Sequence, residues 1–132
     1  MKKLLSFMMV LAMMVSILML PLQAATPRSN YTVDANAEFQ IKSDGRAEIF
    51  VFYEANDAMT STQINITLKK RVFLLFWEDV TTFTFNRTEK SFSNTYIYYL
   101  QEEGTYKCEV EYIISGTAGA NDVSNFERTA TY

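Results

Sequence analysis

The sequence predicts an all-β protein, an antiparallel sandwich of about seven strands behind an export leader, and three observations carry that reading. Apolar and polar side chains alternate with a period of two in one segment after another, with no competing helical period in the mature chain. Tyr, Phe, Ile, Val and Thr are abundant, and β-branched and aromatic side chains suit a pleated, half-buried surface. Clusters of Gly, Asn, Asp and Ser punctuate the alternating runs, as turns between short strands require.

At the N-terminus Lys2 and Lys3 precede an apolar run over residues 4–20, closed by Pro21 and followed by Leu22, Gln23, Ala24 and Ala25. A short basic segment, an apolar core and small residues at the cut describe a secretory signal peptide, with cleavage expected after Ala24 or Ala25. The rival is an uncleaved anchor, but the run is short for a hydrocarbon core that asks for about 20 residues, and no charged stop follows it. No Cys lies near the cut, which argues against a lipid-anchored lipoprotein. The expected plan is a signal peptide over residues 1–25 and one domain over 26–132, secreted to the extracellular side. About 108 residues then remain, enough for one modest core.

The first strand carries Tyr31, Val33, Ala35, Ala37, Phe39 and Ile41 on one side and ends at the turn Ser43, Asp44, Gly45. A second covers residues 47–53, where Ile49, Phe50, Val51 and Phe52 are apolar on both sides, as in a central or covered strand. A polar connection over 54–62 leads to Ile64, Ile66 and Leu68, which alternate with Asn65, Thr67 and Lys69. Trp77, Val80, Phe83 and Phe85 belong to a fourth strand, with a bulge expected near Glu78 and Asp79, and residues 92–100 make a fifth. Gly104 opens the sixth, which sets Tyr106, Cys108, Val110, Tyr112 and Ile114 on a buried side and Lys107, Glu109 and Glu111 on a wet one. A loop with Gly116, Gly119, Asn121 and Asp122 precedes the seventh, over residues 126–132.

Tyr106 stands two residues before Cys108, a spacing that resembles the tyrosine corner of immunoglobulin-type sandwiches, where the phenol hydroxyl ties a strand back to the corner before it. The wider pattern is Ile64, Ile66, Leu68 and Lys70, then Trp77, Val80 and Phe83, then Tyr96, then Gly104, Thr105, Tyr106 and Lys107. It is similar to that of small secreted proteins of Firmicutes, Clostridia in particular. The resemblance implies an immunoglobulin-like antiparallel sandwich, a signal peptide and one domain, and it implies no activity, because those proteins have none assigned. The chain departs from true immunoglobulin domains in having no second Cys for Cys108. A single Cys among inward-facing Tyr106, Val110 and Tyr112 predicts a buried thiol acting as a small hydrophobe. An intermolecular bridge or a reactive thiol would need exposure and an electropositive neighbourhood.

The formal net charge is −3, and loss of the leader lysines makes the mature chain more acidic. Binding to a phosphate backbone needs clustered Lys and Arg, and the one such run is Lys69, Lys70, Arg71, so no nucleic-acid partner is expected. That run adjoins Val72, Phe73, Leu74, Leu75 and Phe76, where the resembling proteins carry a polar hairpin loop. At a hairpin tip, basic residues beside exposed apolar ones would suit a membrane interface or an anionic partner. The preferred expectation is simpler: both strands are longer, the turn falls at or near Lys70 and Arg71, and these side chains fill the core.

The sequence contains no His, which removes Ser-His-Asp and Cys-His constellations and the commonest zinc ligand. Four scattered glycines make no phosphate loop. Glu109 and Glu111 share a wet face about 7 Å apart by strand rise, and nothing in their surroundings predicts the raised pKa that acid catalysis needs. Asn56 and Asp57, and Asn121 and Asp122, offer oxygen donors for calcium, but without EF-hand spacing they read as turn formers. No enzyme activity, cofactor or metal is therefore expected. Tyr98 and Tyr99 point to opposite faces of the fifth strand, so one of them is a candidate stacking surface for a glycan. Two classes of function lead: a secreted interaction or adhesion module with an extracellular protein partner, ranked first, and a carbohydrate-binding module; membrane-surface contact through a Val72–Phe76 hairpin tip ranks third.

Overall fold

The computed structural model describes residues 29–132, so the expected leader over residues 1–25 lies outside the described residues. Seven strands follow in order: β1 (Thr32–Ile41), β2 (Arg46–Ala55), β3 (Met59–Phe73), β4 (Phe76–Arg87), β5 (Ser91–Tyr99), β6 (Thr105–Gly116) and β7 (Asp122–Thr131). Among the described residues there is no helix. Every strand pairs antiparallel, in a three-stranded sheet ordered β1-β2-β5 and a four-stranded sheet ordered β4-β3-β6-β7.

The period-two pattern decides which side of each sheet faces inward. On β2 the buried positions are Ala47, Ile49, Val51, Tyr53 and Ala55, and on β6 they are Tyr106, Cys108, Val110, Tyr112 and Ile114. On β3 they are Met59, Thr62, Ile64, Ile66 and Leu68; Ile64 and Ile66 lie opposite Phe85 and Phe83 of β4, and Ile64, Ile66 and Leu68 opposite Tyr112, Val110 and Cys108 of β6. Full burial of one Ile or Leu side chain is worth about 1.5–3 kcal/mol, so the two inner faces packed together supply the main driving force. Phe85 stacks on Tyr96 of the other sheet with ring centroids 4.4 Å apart, and Phe83 meets Tyr98 edge-on at 6.3 Å.

A large core that contains phenols must satisfy their hydroxyls, and it does so with backbone groups. Tyr112 of β6 donates to the Asn36 carbonyl at 2.6 Å and accepts from the Phe52 amide at 3.1 Å, so one side chain bonds the four-stranded sheet to two strands of the other. Burial pushes its hydroxyl pKa up to about 12, which keeps it a neutral donor. Tyr53 donates to the Glu89 carbonyl, Tyr31 to Gly119, and Tyr106 to Glu102 four residues upstream, at 2.6, 2.7 and 2.6 Å. At the end of β6, Gly116 admits the Ala58 carbonyl so closely that an added Cβ would lie 2.1 Å from its oxygen.

The structure departs from the sequence expectations chiefly in the third and fourth strands. β3 is 15 residues long, and the chain reverses at Leu74 and Leu75 rather than near Lys70 and Arg71. The register steps twice, leaving Val80 as the extra residue on β4 and Val72 as the extra residue on β3. As a result Trp77 and Val80 do not join the core: Trp77 pairs with Arg71 on the outer side of the sheet, and Val80 is exposed. The last strand also starts earlier than expected, at Asp122, because the loop residues there pair with the end of β6.

Candidate functional site

The end of the β3–β4 hairpin concentrates the exposed apolar surface of the molecule. Exposure runs from 49% at Val72 through Phe73 and Phe76 to 77% at Leu74 and 85% at Leu75, so the expectation that these five side chains fill the core fails. The physical reason is length. β3 and β4 continue beyond the part of β3 paired to β6, which ends at Lys70 opposite Tyr106, and nothing from the facing sheet covers the extension.

Local geometry spreads apolar side chains over both faces of the extension. Arg71 pairs with Trp77 and Phe73 with Phe76, although Trp77 and Phe76 are neighbours that point to opposite sides of β4. The extra residue Val72 makes this possible by swinging Phe73 away from the Arg71 face. Phe73 and Phe76 stack with ring centroids 6.4 Å apart. A two-residue hairpin turn normally takes residues that accept positive φ, such as Asn-Gly, because the resulting twist matches the strands. Here the turn is Leu-Leu, and no residue other than glycine has positive φ among the described residues. The leucines are thus poorly matched both to a turn and to water.

Behind the apolar end lies a ring of charge that is mostly compensated. Lys69 pairs with Glu109 at 3.2 Å and with Asp79 at 3.8 Å, and Lys70 pairs with Glu102. The Glu109 and Glu102 carboxylates hold the two ammonium groups above their usual pKa. Lys107 reaches Glu109 at 3.5 Å and Glu127 at 3.8 Å. Arg71 differs: among the described residues no carboxylate lies within ion-pair distance, and its guanidinium sits 4.9 Å from the centre of the Trp77 ring. Lys107 approaches the same ring at 4.6 Å. The sequence points to Lys69, Lys70 and Arg71 through Phe76 and puts Trp77 at the end of that stretch, but it does not point to Lys107, which arrives from β6, a pairing that local sequence does not reveal.

The other singled-out residues have plainer places. Tyr98 packs against the core beside Phe83, whereas Tyr99 is 60% exposed, so the pair does not form one aromatic platform. Cys108 is buried, and burial pushes its thiol pKa up to about 12, a neutral and unreactive state at physiological pH. Asn56 accepts from the Ala58 amide at 3.0 Å as a turn former, and Asp57 pairs with Lys90 at 2.5 Å. Glu111 accepts from the Asn65 amide group at 2.9 Å on the outer face of the four-stranded sheet. Among the described residues, no group of three or more His, Cys, Asp or Glu side chains is arranged to hold a metal ion.

Asp122 is the most heavily bonded side chain. Its carboxylate accepts from the amides of Asn30, Tyr31 and Thr32 and from the hydroxyls of Ser29 and Thr32, at 2.7–3.0 Å. Burial opposes the charge, but these donors outweigh it and hold the carboxyl well below the usual carboxylate range. With its lone pairs committed to the start of β1, Asp122 is a clamp between β1 and β7 and is poorly placed to ligate calcium.

Comparison with known proteins finds no matching family model, curated protein or solved structure, so the functional reading rests on the geometry of the chain itself.

Proposed function

We propose that the chain is an exported, non-enzymatic, immunoglobulin-like sandwich that serves as an extracellular interaction module and makes its contact through the β3–β4 hairpin tip. The observation that carries this reading is the run Val72, Phe73, Leu74, Leu75 and Phe76 exposed together at a turn whose residues favour neither the turn nor water. Support for immunoglobulin-like identity comes from the strand order and the corner. The first, second and fifth strands form one sheet and the third, sixth and seventh lie in the other, with the fourth beside the third. Tyr106 bonds back to Glu102 as a tyrosine corner does. Export is supported by the N-terminal sequence pattern, and the non-enzymatic reading by the absence of His from the sequence. The glycan reading through Tyr98 and Tyr99 has weaker support, since only Tyr99 is open to solvent.

The test is retention of the labelled mature protein on cell envelopes, comparing the wild type with a Leu74→Ser, Leu75→Ser variant whose fold is checked by circular dichroism. A loss of retention of at least tenfold is expected. Equal retention of the two proteins would place the contact elsewhere.

A further inference from the structure

We infer that the occupant of the tip is the interface of a lipid bilayer, entered by Leu74 and Leu75; this rests on the reading of the tip as the contact site. Shape is the first argument. The tip is convex and ends in a two-residue turn, whereas the shallow clefts of about 280–420 Å³ on this surface are lined by other residues, around Phe50, Glu111 and Asn121. A protein partner would have to supply a matching groove for a blunt apolar end. A bilayer supplies apolar depth without a preformed shape.

The order of side chains along the hairpin is the second argument. Leu74 and Leu75 lead, Phe73 and Phe76 stand one step back, Trp77 with Arg71 follows, and Lys69, Lys70 and Lys107 come last. A bilayer presents the same sequence of environments from acyl chain to headgroup: aliphatic side chains inside, aromatic rings at the boundary, and Lys and Arg reaching toward phosphates. At about 3.3 Å per residue the apolar end ahead of Trp77 is roughly 7–10 Å deep. That matches the roughly 5–10 Å to which interfacial elements sink.

Backbone chemistry limits the depth. Beyond Lys70 the hairpin is two-stranded, so about half of its amides and carbonyls face outward, and insertion stops at the interface, where water and headgroups still bond them. The charges set the character of the contact. Lys69, Lys70 and Lys107 already face carboxylates, so Arg71 is the cation with most to offer a phosphate. Glu78, next to Trp77 and opposite Lys70, offsets part of that charge, so apolar insertion dominates and anionic lipid adds at most about one charge's worth of affinity, up to roughly fivefold.

Trp77 is the one Trp in the sequence and lies at the expected boundary, so its emission reports insertion directly. The full mature chain is titrated with phosphatidylcholine vesicles and with vesicles containing phosphatidylglycerol, by fluorescence and by co-sedimentation. A blue shift and co-sedimentation with both are expected, up to about fivefold tighter on the anionic vesicles. Partitioning should fall at least tenfold in Leu74→Ser, Leu75→Ser and in the single variant Leu75→Asp, with unchanged melting temperature. No partitioning at millimolar lipid, equal partitioning of the variants, or binding confined to anionic vesicles and abolished by high salt would each overturn the inference. Tip-dependent retention on envelopes without binding to pure lipid would overturn the lipid occupant while leaving the contact reading standing, and envelope retention that ignores the tip variants would remove both.

Discussion

The Asp122 corner and the β3–β4 tip are both strand ends, and they use polar and apolar residues in opposite ways. At the corner, Ser29, Asn30, Thr32 and Asp122 look like a solvated loop, yet the Asp122 carboxylate binds five donors and Asn30 also reaches the Ala120 carbonyl at 2.9 Å. At the tip, five apolar residues look like core, yet they are the most exposed apolar run among the described residues. The comparison teaches that polarity alone does not separate structural from interacting surface here. What separates them is whether the chemical potential of the side chain is satisfied inside the molecule. The corner is satisfied, and the tip is not.

The largest expected effect lies at the corner. Asp122→Ala removes the acceptor of three backbone amides, and buried donors without partners cost about 1–3 kcal/mol each before water relieves them. Because the corner is partly open to water, a net loss of about 2–3 kcal/mol is expected in urea unfolding, with little change in vesicle or envelope binding. A loss below about 0.5 kcal/mol would mean that water replaces the carboxylate freely, and the corner would then resemble the tip more than it differs from it.

Acid titration sharpens the same comparison with a smaller effect. The folded Asp122 carboxyl has a depressed pKa, so its contribution is complete above the unfolded value of about 3.9 and is lost as pH falls below it. The stability gap between wild type and Asp122→Asn should stay constant from about pH 5 to 8 and narrow by about 1–2 kcal/mol by about pH 2.5. The Leu74→Ser, Leu75→Ser variant adds no titrating group and should parallel the wild type through the whole range. A gap that stays flat into acid would show that the carboxylate charge does not stabilise the clamp.

The two regions also differ in how far sequence could reach them. All seven strands were visible in the sequence, the first, third and sixth as alternation, because an inward face recurs every second residue whatever the partner strand, and the second as a continuous apolar run. The burial of Cys108 and Tyr106 followed from that period. The Asp122 clamp was not visible, since its donors lie about ninety residues away and the residue reads locally as a turn former. The tip residues were visible as an oddity, but their exposure was not. Apolar composition predicts burial by default, and only the register shows that β3 outruns its pairing with β6. The bulge expected near Glu78 and Asp79 falls at the adjacent Val80, and that one extra residue turns Trp77 to the outer face, whereas the second bulge at Val72 left no mark in the sequence.

The smallest expected effect is the most pointed, because its sign distinguishes a structural tip from an interacting one. The Leu-Leu turn runs without positive φ, and Asn-Gly lets it relax to the turn type that matches the strand twist, so Leu74→Asn with Leu75→Gly should hold or raise the stability of the isolated protein. The expected gain is about 0 to 1 kcal/mol, read as a rise of up to about 4–8 °C in melting temperature. A core would respond in the opposite direction, since deleting two buried leucines costs about 2–5 kcal/mol each. If the variant melts several degrees lower, Leu74 and Leu75 hold the hairpin together and the tip is structure after all. If it melts at or above the wild type while envelope retention falls, these leucines are kept at a cost to the fold, and the reason for keeping them lies outside the molecule.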